Sequence, residues 1–169
     1  MIMDREVLAI LTAILTAASI MAVIVLFHGV GHEPYESIAL LNAQCQMGPY
    51  PSQAVVGGNV SLCLYVENHM YHVEYFKVVY KIGVNTTLPT NTTPSPEEPE
   101  MEWRLVLGHN DNVTFHVKVP FNPPKAYTSS DKVALIFELW RYEEPNGWTY
   151  TGRFVYIYVH PRISVIPGR

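Results

Sequence analysis

Two cysteines and a closely spaced pair of histidines carry the most pointed chemistry in this 169-residue sequence. Cys45 and Cys63 are the whole cysteine inventory, and an even pair in an oxidising compartment favours a disulfide. His69 and His72, in Asn68-His69-Met70-Tyr71-His72, stand near one another but have no third metal ligand at a recognisable spacing. Glu33 beside His32 does not complete the His-Glu-x-x-His pattern of a zinc-binding helix. No metal and no cofactor are therefore expected. His28 and His32 are able to change charge near neutral pH. Glu97 and Glu98 fall in a Pro-rich stretch, which denies them the rigid placement that acid–base catalysis needs. With no Gly-x-Ser-x-Gly elbow, no phosphate-binding glycine loop and no patterned cysteine–histidine pair, no catalytic residue is expected and the chain reads as non-enzymatic.

Asn59, Asn85, Asn91 and Asn112 each open an Asn-x-Ser/Thr acceptor, which marks them for glycans on an extracytoplasmic surface. All four lie after an uncharged apolar run from Val7 to Phe27. As a helix that run reaches roughly 30 Å, the thickness of a bilayer's hydrocarbon core. It is too long for the apolar core of a cleaved signal peptide, and Thr16-Ala17-Ala18-Ser19 runs on into further apolar residues instead of ending it. A retained span over residues 7–28 is the expectation, with membrane lipid around it. Arg5 is the only basic residue near either end, which puts residues 1–6 in the cytoplasm and the remainder outside the cell membrane. Ala9, Ala13 and Ala17 recur every four residues and would let a second helix approach closely.

The net charge of −4 comes without basic blocks, so nucleic acid is an unsuitable partner. Residues 29–35 read as a short linker, 36–162 as one β domain and 163–169 as a tail. Within the domain the hydrophobic period is two. Val60, Leu62, Leu64 and Val66 alternate with Ser61, Cys63 and Tyr65, and Val113, Phe115, Val117 and Val119 alternate with polar residues. Similar runs at 37–46, 73–82, 103–107, 132–142 and 151–160 predict an all-β, immunoglobulin-like antiparallel β-sandwich of about seven strands. Glu144-Pro145-Asn146-Gly147 predicts a hairpin between the last two. If the first two strands pair around residues 51–55, the cysteines lie nearly opposite, on the face away from Val60, Leu62 and Leu64. Residues 85–100, NTTLPTNTTPSPEEPE, have little to bury and are expected to form an exposed, mobile loop. Residues 120–131 are expected to form a second long loop. On the last strand Phe154, Tyr156 and Tyr158 share one face and Val155, Ile157 and Val159 the other, so both faces call for a cover.

The segments Glu36-Ser37-Ile38-Ala39-Leu40-Leu41, Tyr50-Pro51, Val56-Gly57-Gly58-Asn59-Val60-Ser61-Leu62 and Val66-Glu67-Asn68-His69, followed by Tyr75, resemble an uncharacterised archaeal membrane-protein family, the "domain of unknown function sixteen-sixteen". The resemblance spans roughly residues 36–160. That family has Val-x-Asn-His-Glu where Met70 follows His69 here, and its members often carry several membrane helices. The resemblance implies an archaeal cell-envelope protein with a sandwich-like outer domain, in which the Asn-His turn shapes a strand connection. The expected role is an accessory or structural subunit beside other membrane-protein subunits. A pilin-like filament subunit and an extracellular ligand-binding domain are the alternatives.

Overall fold

A computed structural model describes residues 5–27, 33–127 and 132–163 of the chain. His28 and His32 lie outside the described residues, as do the end of the predicted span at position 28, residues 128–131 of the second loop and most of the predicted tail. The chain divides into two compact units, Met1–Glu33 and Pro34–Arg169.

The first unit is the helix α1, Arg5–Phe27. It is the one helix among the described residues long and apolar enough to cross a membrane. Its side chains are exposed from Arg5 to Leu26, Ala9, Ala13 and Ala17 included. The hydroxyls of Thr12, Thr16 and Ser19 donate to carbonyls one turn back, Leu8 at 3.0 Å, Thr12 at 3.0 Å and Leu15 at 2.8 Å. Their polarity is thus satisfied within the helix, as a lipid environment requires.

The second unit is a β-sandwich of eight strands: β1 (Tyr35–Leu41), β2 (Gln53–Val55), β3 (Gly58–His69), β4 (Glu74–Gly83), β5 (Pro99–Leu107), β6 (Asn112–Phe121), β7 (Val133–Glu143) and β8 (Gly147–Arg162). One sheet has the order β1-β3-β6 and the other β2-β8-β7-β4-β5. All pairings are antiparallel except β2 with β8. The first strand thus begins on the smaller sheet, and its continuation β2 joins the edge of the larger one. The chain changes sheet again from β2 to β3, from β3 to β4, from β5 to β6 and from β6 to β7, which is the Greek-key pattern of an immunoglobulin-like sandwich. The expected seven strands are present. The eighth, β2, is only three residues long and falls in the Pro/Ser stretch read as a turn.

Period-two patterning fixes the interior. Leu62, Leu64 and Val66 of β3 are buried against Phe76, Val78 and Tyr80 of β4 and Leu135, Phe137 and Leu139 of β7. Tyr80 is wholly buried and its hydroxyl donates to the Pro120 carbonyl at 2.9 Å, tying the two sheets together. Burial pushes that phenol's pKa well up. On β8, Val155, Ile157 and Val159 are the inner set; Phe154, Tyr156 and Tyr158 face outward.

The expectation that residues 85–100 have little to bury is corrected, although many of them are exposed. Residues 84–98 lie as a strap against the outer face of the five-stranded sheet with Pro89 and Ser95 buried, and Pro99 already begins β5. Under the strap Val79, Ala134 and Ile136 are buried although they point away from the sandwich interior. The strap is held by polar contacts instead of an apolar core of its own. Ser95 N donates to Glu138 Oε1 at 2.6 Å, Lys81 Nζ donates to the Ser95 carbonyl at 2.7 Å, and Tyr150 and Tyr158 donate to Thr90 O and Asn85 Oδ1, each at 2.8 Å. At its crossing of β8 the Asn91 carbonyl passes so close that a Cβ on Gly152 would lie 2.2 Å from it, and Gly152 has φ +77°. Only glycine fits both conditions.

Candidate functional site

The part of the outer sheet face left free by the strap is an aromatic patch threaded by cations. It is built where β4, β5, β7 and β8 run side by side: Tyr75 and Lys77 come from β4, Glu102 and Arg104 from β5, Trp140 and Tyr142 from β7, and Trp148 from β8. Lys77 pairs with Trp140 on one side and Arg104 on the other, while Tyr142 pairs with Trp148. The Lys77 ammonium lies 4.7 Å from the centroid of the Trp148 ring and 5.5 Å from that of Trp140, within cation–π range. The Arg104 guanidinium sits 5.8 Å from Trp148. Glu102 accepts from Arg104 at 2.7 Å and faces Lys77 at 3.6 Å, and the Arg104 bond holds its carboxyl below the usual range. Tyr75 and Tyr142 flank the Trp148 ring at 4.9 and 5.5 Å. With Tyr75 36% and Tyr142 43% exposed, and Val106 beside them 67% exposed, the patch meets solvent. Rigid Trp and Tyr rings with an Arg among them are the residues that carry binding energy at protein interfaces.

A second polar constellation joins the two sheets at the end where the chain enters the domain. Arg141 of β7 donates from Nη1 to Glu36 of β1 at 3.0 Å, lies 3.7 Å from Glu74 of β4, and makes a close contact with Glu143. His72 approaches Glu74 at 3.3 Å. Burial pushes the Glu74 carboxyl above its ordinary value, against the opposing pull of Arg141 and His72. One guanidinium thus serves three carboxylates, a latch between sheets. Next to it Asn68 is fully buried. Its amide donates to His72 O at 2.9 Å and Leu107 O at 2.8 Å while its carbonyl accepts from Met70 N at 2.9 Å. The Asn-His turn therefore shapes a strand connection, as expected. His69, stacked on Tyr35 at 4.5 Å, bonds Glu67 at 2.6 Å.

Cys45 and Cys63 form the disulfide. β1 and β3 pair as expected, but β1 ends at Leu41, so the bond ties the following loop to β3 and does not join two strands. It lies on the outer face of the smaller sheet. His116, directly opposite Cys63 on β6, brings Nε2 to 3.5 Å from Cys45 Sγ. No spacing in the sequence signals that approach, because His116 follows Cys45 by 71 positions. The four sequon asparagines, Asn59, Asn85, Asn91 and Asn112, are all exposed.

No protein-family model and no curated protein matches the chain. Among solved structures it is similar to the CARDB domain of a Pyrococcus furiosus protein in complex with di-metal ions, at 10% identity and a TM-score of 0.47 over 76% of this chain and 89% of that one. A β-glucosidase from Listeria innocua in complex with glucose gives 7% identity and a TM-score of 0.47, with 76% of this chain spanning only 16% of the enzyme. The soluble domain of PmoD from a Methylocystis species gives 11% identity and a TM-score of 0.38 over 78% of this chain and 94% of that one.

Proposed function

We propose that the chain is a single-pass, membrane-anchored archaeal cell-envelope protein, with its N-terminus cytoplasmic and its sandwich outside. In this reading the sandwich is a non-enzymatic accessory module of a larger membrane complex. The aromatic patch around Trp148 docks a neighbouring protein subunit. The partial exposure of that patch is the observation that carries the reading. The outer face of the five-stranded sheet carries aromatic and apolar side chains among its charged pairs, and the chain's own strap leaves Tyr75, Val106 and Tyr142 exposed. Lys77 and Arg104 fix the rings in place, so little side-chain entropy is lost when a partner settles on them. The apolar, outward-facing surface of α1 and the exposed sequons support an anchored, extracytoplasmic placement.

Extraction of native membranes in mild detergent, followed by size separation and mass spectrometry, tests the proposal. Co-migration with multi-spanning proteins at fixed ratio is the expected result. Recovery of the chain alone contradicts it, and recovery in sheared extracellular polymers would favour a filament subunit.

A further inference from the structure

We propose that Cys45, Cys63 and His116 form a redox-gated site for a single thiophilic d10 cation, Zn(II) or Cu(I), open when the disulfide is reduced and closed when it is formed. The ligand atoms of the three residues lie within 4.8 Å of one another. Metal–sulfur bonds of about 2.3 Å and metal–nitrogen bonds of about 2.0 Å place such ligand atoms roughly 3.5–4 Å apart. Cys45 Sγ and His116 Nε2 already stand at 3.5 Å, and the sulfurs separate to that distance by side-chain rotation once the bond between them opens.

Two of the ligands sit on paired strands and do not depend on the disulfide for their position, because Cys63 and His116 face each other in the β3–β6 ladder. The third is held by its loop. The Asn42 side chain accepts from Gln44 N and Gln46 N, each at 3.0 Å, and donates to Gly48 O at 2.8 Å. Cys45 N donates to Asn42 O at 3.0 Å within the same loop. Cys63 is buried, Cys45 half-buried and His116 exposed, so a reductant and an ion reach the cluster from the solvent side. Thiolate and imidazole donors are the set that soft and borderline d10 ions select.

In the gating step a dithiol reductant gives up two electrons and two protons and becomes its own disulfide. The Cys45–Cys63 bond breaks and each sulfur gains one electron and one proton. Binding of the ion then releases both protons to solvent, since the thiolate is the ligand. A low-molecular-weight disulfide reverses the step: it takes two electrons from the two thiolates and two protons from solvent to become its dithiol, the Cys45–Cys63 bond re-forms and the ion leaves.

The test uses the full chain in detergent micelles, oxidised in one sample and reduced with a dithiol and desalted without oxygen in another. Each is titrated with Zn(II) and, separately, Cu(I) against a chromophoric chelator. Bound ion is counted by native mass spectrometry and proton release by a pH indicator. The expected result is one ion and two protons per reduced chain and none on the oxidised chain. His116→Ala and His116→Gln should each weaken binding by about tenfold or more with sheet circular dichroism unchanged. Four results would overturn the site: no ion on the reduced chain in either titration, equal binding by the oxidised chain, affinity indifferent to both His116 variants, or loss of the sheet signal on reduction.

Discussion

Lys81 and Glu138 meet diagonally across β4 and β7, Nζ to Oε2 at 3.1 Å, sealed beneath the strap with the carboxylate fully buried and the lysine side chain 6% exposed. Glu138 also accepts from Ser95 N and from Trp140 Nε1 at 3.1 Å, so one carboxylate pins the strap on one side and borders the aromatic patch on the other. Burial and the charge of Glu138 push up the pKa of the neighbouring Tyr150 phenol.

Breaking this pair from either end leaves a buried charge alone. Lys81→Met and Glu138→Gln should each lower the unfolding free energy by about 3–5 kcal/mol, and the double replacement Lys81→Met/Glu138→Gln, which keeps an amide oxygen for Ser95 N, should cost less than the sum of the two single changes. Denaturant titrations of the three variants check the ordering.

Gly152 is the strap's crossing point. In Gly152→Ala the new methyl would meet the Asn91 carbonyl and a positive φ is forced on a residue with a side chain, at a cost of about 1–3 kcal/mol. The variant should be cleaved within residues 85–98 by a protease at concentrations that leave the parent strap intact, and equal cleavage would show that the crossing does not hold it.

Two carboxylates give the fold opposing pH dependences. The hydrogen bond from His69 holds Glu67 below its ordinary value of 4.5, whereas burial raises Glu74 above the same value. A depressed folded pKa stabilises above the unfolded value, and that gain is lost as pH falls through the folded one. A raised folded pKa costs stability as pH climbs from the unfolded value to the folded one. Glu67→Gln should therefore flatten the fall in stability below pH 4.5, and Glu74→Gln should remove a decline that begins just above it. Denaturation midpoints between about pH 3 and pH 7 report both slopes.

The disulfide closes a sequence separation of 18 residues, for which loop-closure entropy gives about 3 kcal/mol. Replacing both cysteines by serine should lower stability by that amount. Intact mass with and without reductant should show the parent gaining two hydrogens.

Much of the sandwich is legible in the sequence because alternation and turn chemistry are local. The β7–β8 hairpin follows from Glu144-Pro145-Asn146-Gly147, and the inward set Leu62, Leu64 and Val66 follows from period two. The strap is not legible, since its composition is that of a solvated loop and its anchors, Glu138, Tyr150 and Tyr158, are distant in sequence. One signal pointed to it: a lone glutamate inside the apolar run from Val133 to Leu139 demands a buried partner. The two-faced pattern of β8 shows in the sequence without saying which face is buried, and the aromatic patch does not show there, because Lys77 and Trp140 join Trp148 only through strand register. His116 lay beyond any spacing rule for the same reason.

The most direct test of the docking claim is site-specific photo-crosslinking in native membranes, with a photoreactive amino acid at Tyr142 in the patch and, as a control, at Lys118 on the exposed outer side of the smaller sheet. A discrete adduct to one membrane protein from position 142, lost in Trp148→Ala and absent from position 118, is the predicted result. No adduct from position 142, or the same adducts from both positions, would contradict the account.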